Sequence, residues 1–309
     1  MTIAIISHPD CYQHNMGYGH PETPERLSAI QQALQTSSLQ TRLKYYEAPL
    51  VEQKYLSQVH TQQYLEYLNA SVPTSLEESY WLDGDTCLMK FTLPAALRAA
   101  GAATLAVDLV MQHETNATFC AVRPPGHHAK RARAMGFCYY NNVAIAAAYA
   151  IEQYNLQKVA IVDFDVHHGN GTEDIVTGNS KILLCSTFQH PFYPYEGAYT
   201  KAPNICNLPL PAGTNGQTYR AAVTKTLLPC LSEFQPQLII FSAGFDGHSY
   251  DNMSMFNLLE ADYAWITQQV KIIADQYAQS RIISCLEGGY NLEVLGKCVI
   301  AHLQSISSM

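Results

Sequence analysis

Residues 159–172 read VAIVDFDVHHGNGT, and this stretch decides the fold. Val159 to Phe164 is a run of apolar and β-branched residues with little alternation, the pattern of a strand buried on both faces of a parallel sheet. The second half packs two carboxylates and two histidines into six residues, Asp163 to His168, and closes on Gly169, Asn170 and Gly171. In an extended chain residues two apart share a side. Asp163, Asp165 and His167 therefore face one way, Phe164 and Val166 the other. Such a face is either part of a metal site or a polar cluster capping the next helix.

The rest of the chain bears on that choice. Further buried strands are expected at Ile3–Ile6, Leu43–Glu47, Thr118–Val122, Ile182–Ser186, Leu238–Ser242 and Ile282–Leu286. Helical patterns lie between them, at Pro24–Gln35, Leu56–Leu68, Thr92–Met111, Asn141–Gln153, Gly216–Leu231, Leu258–Gln279 and Leu292–Gln304. This alternation predicts one α/β domain over residues 1–309, a parallel sheet with helices on both faces. The Pro/Gly-rich stretches Gly17–Pro24, Pro191–Gly197 and Leu208–Gly216 read as loops within it.

Five strands run into polar or glycine-rich tips. They are Arg123-Pro-Pro-Gly-His-His128, Asp165 with His167, Thr187–His190, Ala243-Gly-Phe-Asp246 and Glu287-Gly-Gly-Tyr290. In a parallel sheet all these carboxyl ends share one edge, where open α/β sheets bind ligands. The active site is expected there.

Composition narrows the class. At 48% apolar and 14% charged residues the chain can cover both faces of a large sheet. A net charge of −8 without a basic block argues against nucleic acid as the main partner. The nine cysteines are scattered and odd in number, with no C-x-x-C pair, so neither a disulfide framework nor a cysteine zinc site is expected. The opening MTIAIISHPD lacks a basic signal-peptide region. No stretch reads as the roughly 20 apolar residues of a membrane span. A cytoplasmic location without membrane contact is the expectation; oligomeric state leaves no mark in the sequence.

Asp165, His167 and Asp246 would supply three ligands and leave a fourth position open, the pattern of a catalytic metal site. Two carboxylates and an imidazole suit Zn²⁺, with Fe²⁺, Mn²⁺ or Co²⁺ also compatible. Asp163 could orient a histidine beside the metal. Of the pair His127-His128, a neutral imidazole could take a proton from water and deliver it to a leaving amine. Tyr290, on a Gly-Gly turn, could donate to a developing oxyanion. Phe137, Tyr140 and Tyr193 could wall an apolar channel or simply pack.

The motifs RPPGHHA (123–129), GFCYYNN (136–142), VDFDVHHGNGT (162–172), SAGFDGH (242–248) and LEGGYN (286–291), with HPETPER (20–26), together resemble the zinc-dependent histone deacetylase family. The likeness is nearest its class II branch and bacterial relatives, which include acetylpolyamine amidohydrolases. The resemblance implies an arginase/deacetylase-like α/β fold with a parallel sheet of about eight strands. It implies Zn²⁺ on Asp165, His167 and Asp246, His127 paired with Asp163 as an electrostatic partner, and His128 as general base and acid. Tyr290 would stabilise the tetrahedral intermediate formed when water, activated by the metal, attacks the amide. Gly136, Phe137 and Tyr193 would line the channel for the acyl-lysine chain. A monovalent cation, usually K⁺, would bind near Asp163, Asp165, His167 and Ser186. His168 would be structural.

The chain departs from the family pattern at Tyr139-Tyr140, at Tyr193, and at Asn252-Met253 after Asp251, none of which is an expected ligand or proton carrier. The expected reaction is hydrolysis of an N-acetyl amide, most simply acetyl-lysine in a protein. Alternatives are an acetylated polyamine substrate, a two-manganese ureohydrolase, and a non-catalytic acyl-lysine binder.

Overall fold

The computed structural model describes residues 2–308. Eight strands form one wholly parallel sheet: β1 Ile3–Ser7, β2 Leu43–Glu47, β5 Ala117–Cys120, β6 Val159–Asp163, β7 Ile182–Gln189, β8 Ile205–Leu210, β9 Leu238–Ala243 and β10 Ile282–Leu286. A separate two-stranded ribbon pairs β3 Tyr80–Trp81 with β4 Cys87–Leu88. The order across the sheet is β2-β1-β5-β10-β9-β6-β7-β8. From β5 the chain jumps to β6, leaving two places that β9 and β10 fill last. The site-bearing strand ends β5, β10, β9 and β6 are therefore adjacent at the centre of the sheet, where the order reverses and a crevice opens.

The apolar runs that announce the central strands are the ones the fold buries. Every residue of β5, β6, β9 and β10 is buried, whereas the edge strands β2 and β8 are mostly half-buried or exposed. At about 1.5–3 kcal/mol for each fully buried large aliphatic side chain, these strands anchor the sheet. Helices Thr92–Met111 and Asn142–Tyr154 pack on each other, and Glu25–Thr36, Glu260–Tyr277 and Leu292–Ser307 form a second packed group. Gly296 lets the last of these approach Ala29 and Ala33, since a Cβ there would strike both.

Several expectations need correction. The eighth strand, β8, overlaps the expected loop Leu208–Gly216. Its sequence ICNLPL carries Pro209, which a sheet accepts at an edge, so it did not read as a strand. Leu56–Leu68 is two helices, Gln53–Val59 and Gln62–Ser71, parted where the Thr61 hydroxyl accepts from Tyr64 N (3.3 Å) and caps the second. Gly216–Leu231 likewise divides into Gly216–Lys225 and Leu227–Phe234. The helix Asn170–Val176 starts directly after Gly169. Helix Thr92–Met111 is, contrary to the expectation, long and apolar enough to cross a membrane by length and composition; most of it is buried inside the protein.

Candidate active site

Strand β6 stops at Asp163, so Asp165 and His167 sit in the tight turns beyond it rather than on an extended face. They still converge. One donor atom each from Asp165, His167 and Asp246 lies within 4.8 Å of the others, and all three residues are buried. His167 Nδ1 is 3.1 Å from both Asp165 Oδ1 and Asp246 Oδ2. Backbone groups fix the carboxylates: Gly288 N donates to Asp165 Oδ2 at 2.8 Å, and Val166 N to Asp246 Oδ1 at 3.0 Å. Glycine is required around them. A Cβ at Gly244 would collide with Asp165, and one at Gly288 with both Asp165 and Asp246.

Two carboxylates buried side by side are costly unless a cation joins them. Burial first, then the neighbouring Asp165, push Asp246 up to about 6. Oxygen, nitrogen and oxygen donors in one buried cluster beside an open pocket fit a catalytic divalent metal. Asp165, His167 and Asp246 are the residues that would hold it.

The two adjacent histidines have different partners. His127 Nδ1 is 3.0 Å from Asp163 Oδ2, and its Nε2 is 3.8 Å from Asp165 Oδ2. Burial would lower its pKa, but Asp165, Asp163 and Glu287 overcome this and push it up to about 10. His128 Nδ1 instead lies 2.8 Å from Asn170 Oδ1. The amide is oriented by its own nitrogen, which donates to Met135 Sδ and Glu196 Oε1 at 3.4 Å. With an oxygen acceptor at Nδ1, that atom carries the proton of the neutral ring and Nε2 keeps its lone pair. Burial, then the charges of His127 and His167, hold His128 well below the usual imidazole range. Gly136, at φ +56°, gives the ring its space, since a Cβ there would strike it.

A cavity of about 340 Å³ leads to these groups, with His128, His167 and Tyr290 at its polar end. Its walls are Gly136, Phe137, Phe192, Tyr193 and Met253, and it also touches Asp85 and Asn252. Phe192 stacks on His167 with ring centres 5.5 Å apart, and Tyr193 stands edge-on to His128 at 5.3 Å. The Tyr193 hydroxyl is buried with no hydrogen-bond partner in the protein. Tyr140, offered as a possible wall, is not a lining residue; it is buried in the main core.

Tyr290 is held from two sides. Asp251 Oδ2 accepts from the backbone N–H of Tyr290 (2.6 Å) and Asn291 (2.9 Å). The Arg26 guanidinium lies 4.8 Å from the Tyr290 ring centre while its Nε donates to Gly289 O at 2.7 Å. Glu22 pairs with both Arg26 (3.0 Å) and Arg123 (2.7 Å), all fully buried. Although burial raises it, Arg123 and His14 hold the Glu22 carboxyl well below its usual range. Glu287 accepts from Gly126 N (2.7 Å), His127 N (3.1 Å) and the Ser242 hydroxyl (2.9 Å), fixing the backbone under the histidine pair.

Phe192, Asp85, Glu287 and the Tyr290 support from Asp251 were not anticipated from the sequence. Glu287 lies inside the LEGGYN motif and Phe192 directly before Tyr193, which is the signal that could have found them. Ser186 is the register partner of Asp163 on the adjacent strand, and its hydroxyl lies 3.3 Å from His168 Nδ1. His168 turns away from the metal-binding residues, with Nε2 2.8 Å from Glu173 and its ring against Phe188.

A parallel sheet with a buried Asp–His–Asp cluster and a paired-histidine pocket at its carboxyl edge is the architecture of one enzyme family. The histone deacetylase domain matches residues 20–306, and the chain belongs to the histone deacetylase family. An uncharacterized Synechocystis protein is 37% identical over 98% of this chain and 99% of its own length. The mouse polyamine deacetylase HDAC10 is 34% identical over 99% of this chain, which spans 48% of that relative. The solved HDA15 HD domain superposes with a TM-score of 0.90 at 30% identity, covering 99% of this chain and 90% of that one.

Proposed function

We propose that the protein is a zinc-dependent amidohydrolase that removes the acetyl group from acetyl-lysine in polypeptides, with Fe²⁺ as the alternative metal. The observation that carries this reading is the His128–Asn170 hydrogen bond, which leaves a bare imidazole nitrogen in the same pocket as His167 and Tyr290. An ion on Asp165, His167 and Asp246 would supply Lewis acidity toward the substrate carbonyl and lower the pKa of the attacking water.

The protein's own residues do the rest. His128 Nε2 takes the proton of the attacking water and returns it to the departing amine. His127, charged and tied to Asp163, favours the negative charge that develops on the carbonyl oxygen. The Tyr290 phenol donates to that same oxygen. Phe137, Phe192 and Tyr193 enclose the alkyl chain and keep bulk water out of the polar end. A monovalent cation, K⁺, belongs behind this centre, with Asp163, Asp165, His167 and Ser186 among the residues around it.

Exposed aromatic side chains favour a polypeptide over a small polyamine. Tyr18, Trp81, Tyr195 and Tyr250 are exposed; Trp81, Tyr195 and Tyr250 lie within four residues of the pocket residues Asp85, Tyr193 and Asn252, and Tyr18 two residues from His20, whose ring packs on Phe137. Aromatic side chains are enriched where proteins contact polypeptide partners. Asp85 is the one carboxylate lining the cavity outside the cluster, and it can accept either a peptide N–H or an ammonium, so it serves the polyamine reading as well. The two-manganese reading needs a second set of oxygen or nitrogen donors. Among the described residues the other three-donor group is made of cysteines, and Asn170 is committed to His128.

The test is turnover of an acetyl-lysine peptide against acetylputrescine on metal-quantified protein. Higher kcat/KM on the peptide supports the proposal; preference for the polyamine transfers the same mechanism to that substrate. Tight binding of the peptide without acetate release would favour the acyl-lysine binder.

A further inference from the structure

At the far side of the sheet from β2, three cysteines meet. Cys185 lies in β7, Cys206 is its direct register partner in the edge strand β8, and Cys230 comes from the Leu227–Phe234 helix packed over both strands. Their sulfurs all lie within 4.8 Å of one another. Cys185 is fully buried, whereas Cys206 and Cys230 are half-buried, so an ion from solvent has a way in. The set contains no carboxylate and no imidazole. No motif of the deacetylase site includes any of the three.

Thiolates at about 2.3 Å from one ion stand about 3.8–4.0 Å apart, in tetrahedral or trigonal arrangements. The observed spacing needs to close by less than about 1 Å to meet that geometry. An all-sulfur donor set selects soft ions and rejects hard ones such as Mg²⁺ and Ca²⁺. Three donors from three elements would also leave a fourth position to solvent.

We propose that Cys185, Cys206 and Cys230 form a three-thiolate site for a soft d¹⁰ cation, of the copper(I) and zinc(II) class, separate from the catalytic cluster. Each thiol releases one proton to solvent as its sulfur binds. The ion ties the edge strand β8, bonded to the sheet along one side only, to β7 and to the helix above.

Cadmium(II) is the probe, added to zinc-loaded full-length protein under a thiol-free reductant, with copper(I) delivered from a chromophoric chelator as the second probe. The expected result is a sulfur-to-cadmium charge-transfer absorption that saturates at one ion per chain and raises the Tm. The band is lost in Cys206→Ser and in Cys230→Ser. It is retained in Asp165→Asn, because the catalytic cluster holds no sulfur. If both serine variants fail to fold, alkylation of the wild type decides: cadmium should slow labelling of Cys206 and Cys230 together. No band, a band unchanged in both serine variants, or labelling indifferent to cadmium would overturn the site. So would peroxide-driven disulfide formation among the three with no metal response.

Discussion

His128 Nδ1 lies 2.8 Å from the Asn170 side-chain oxygen, while the next residue back, His127, sets the same atom 3.0 Å from the Asp163 carboxylate. One imidazole thus has a neutral partner and its neighbour an anionic one. Replacing Asn170 by Asp should erase that difference. A carboxylate would favour the protonated ring and raise the His128 pKa, so the neutral base would form only at higher pH. The acid limb of the kcat/KM profile should therefore move up in Asn170→Asp. Asn170→Ala should lose about 10- to 100-fold in activity with no upward move. An unshifted profile in Asn170→Asp would refute the assignment of His128 as base.

Tyr290 offers a second check. Removing one oxyanion donor costs about a hundredfold to a thousandfold in kcat, so Tyr290→Phe should show that loss with KM little changed. Asp251→Ala, which frees the backbone of Tyr290 and Asn291, should lower kcat less and leave metal content intact. Steady-state kinetics on both variants distinguish a donor from its support.

Gly288→Ala tests the metal cluster without altering a ligand. The added methyl would collide with the Asp165 and Asp246 carboxylates, spreading them. Bound metal and activity should fall together while the circular dichroism spectrum is preserved. Full metal occupancy in this variant would show that the cluster tolerates what its geometry forbids.

A stability prediction rests on His302, a buried residue that does not line the pocket. Its ring nitrogens meet the Thr267 and Ser284 hydroxyls at 2.6 and 2.8 Å, amid Phe119, Phe164, Phe241 and Phe245. Burial lowers its pKa to about 3. The unfolded chain then binds a proton below about pH 6.5 that the folded chain refuses, so stability should fall with pH across that window. The slope from this group is about 1.4 kcal/mol per pH unit. Urea midpoints between pH 7 and pH 5 should drop less in His302→Gln than in the wild type. Equal drops would show that His302 carries none of the acid sensitivity.

The central strands and the chemistry at their ends were legible because burial on both faces writes continuous apolar runs such as VAIV and LIIF, and the polar residues that follow stand out. What stayed hidden had weaker marks. Strand β8 sits at an edge, where half-exposure permits Asn207 and Pro209 and dilutes the pattern. The same-face reading of Asp163, Asp165 and His167 assumed an extended chain, yet β6 ends at Asp163 and turns bring the ligands together. Asp163, the last residue of the strand, lies 3.0 Å from His127 Nδ1, the histidine it was expected to orient. The three-cysteine cluster was invisible because Cys185, Cys206 and Cys230 are far apart in sequence and only strand register and helix packing unite them.

The most direct measurement is acetate release from an acetyl-lysine peptide by protein of known metal content, wild type against Asp246→Asn. Turnover in the wild type, with both that turnover and one divalent ion per chain lost in the variant, is the expected result. A wild-type protein that binds one ion yet releases no acetate, or an Asp246→Asn variant that hydrolyses the peptide as fast, would contradict the account.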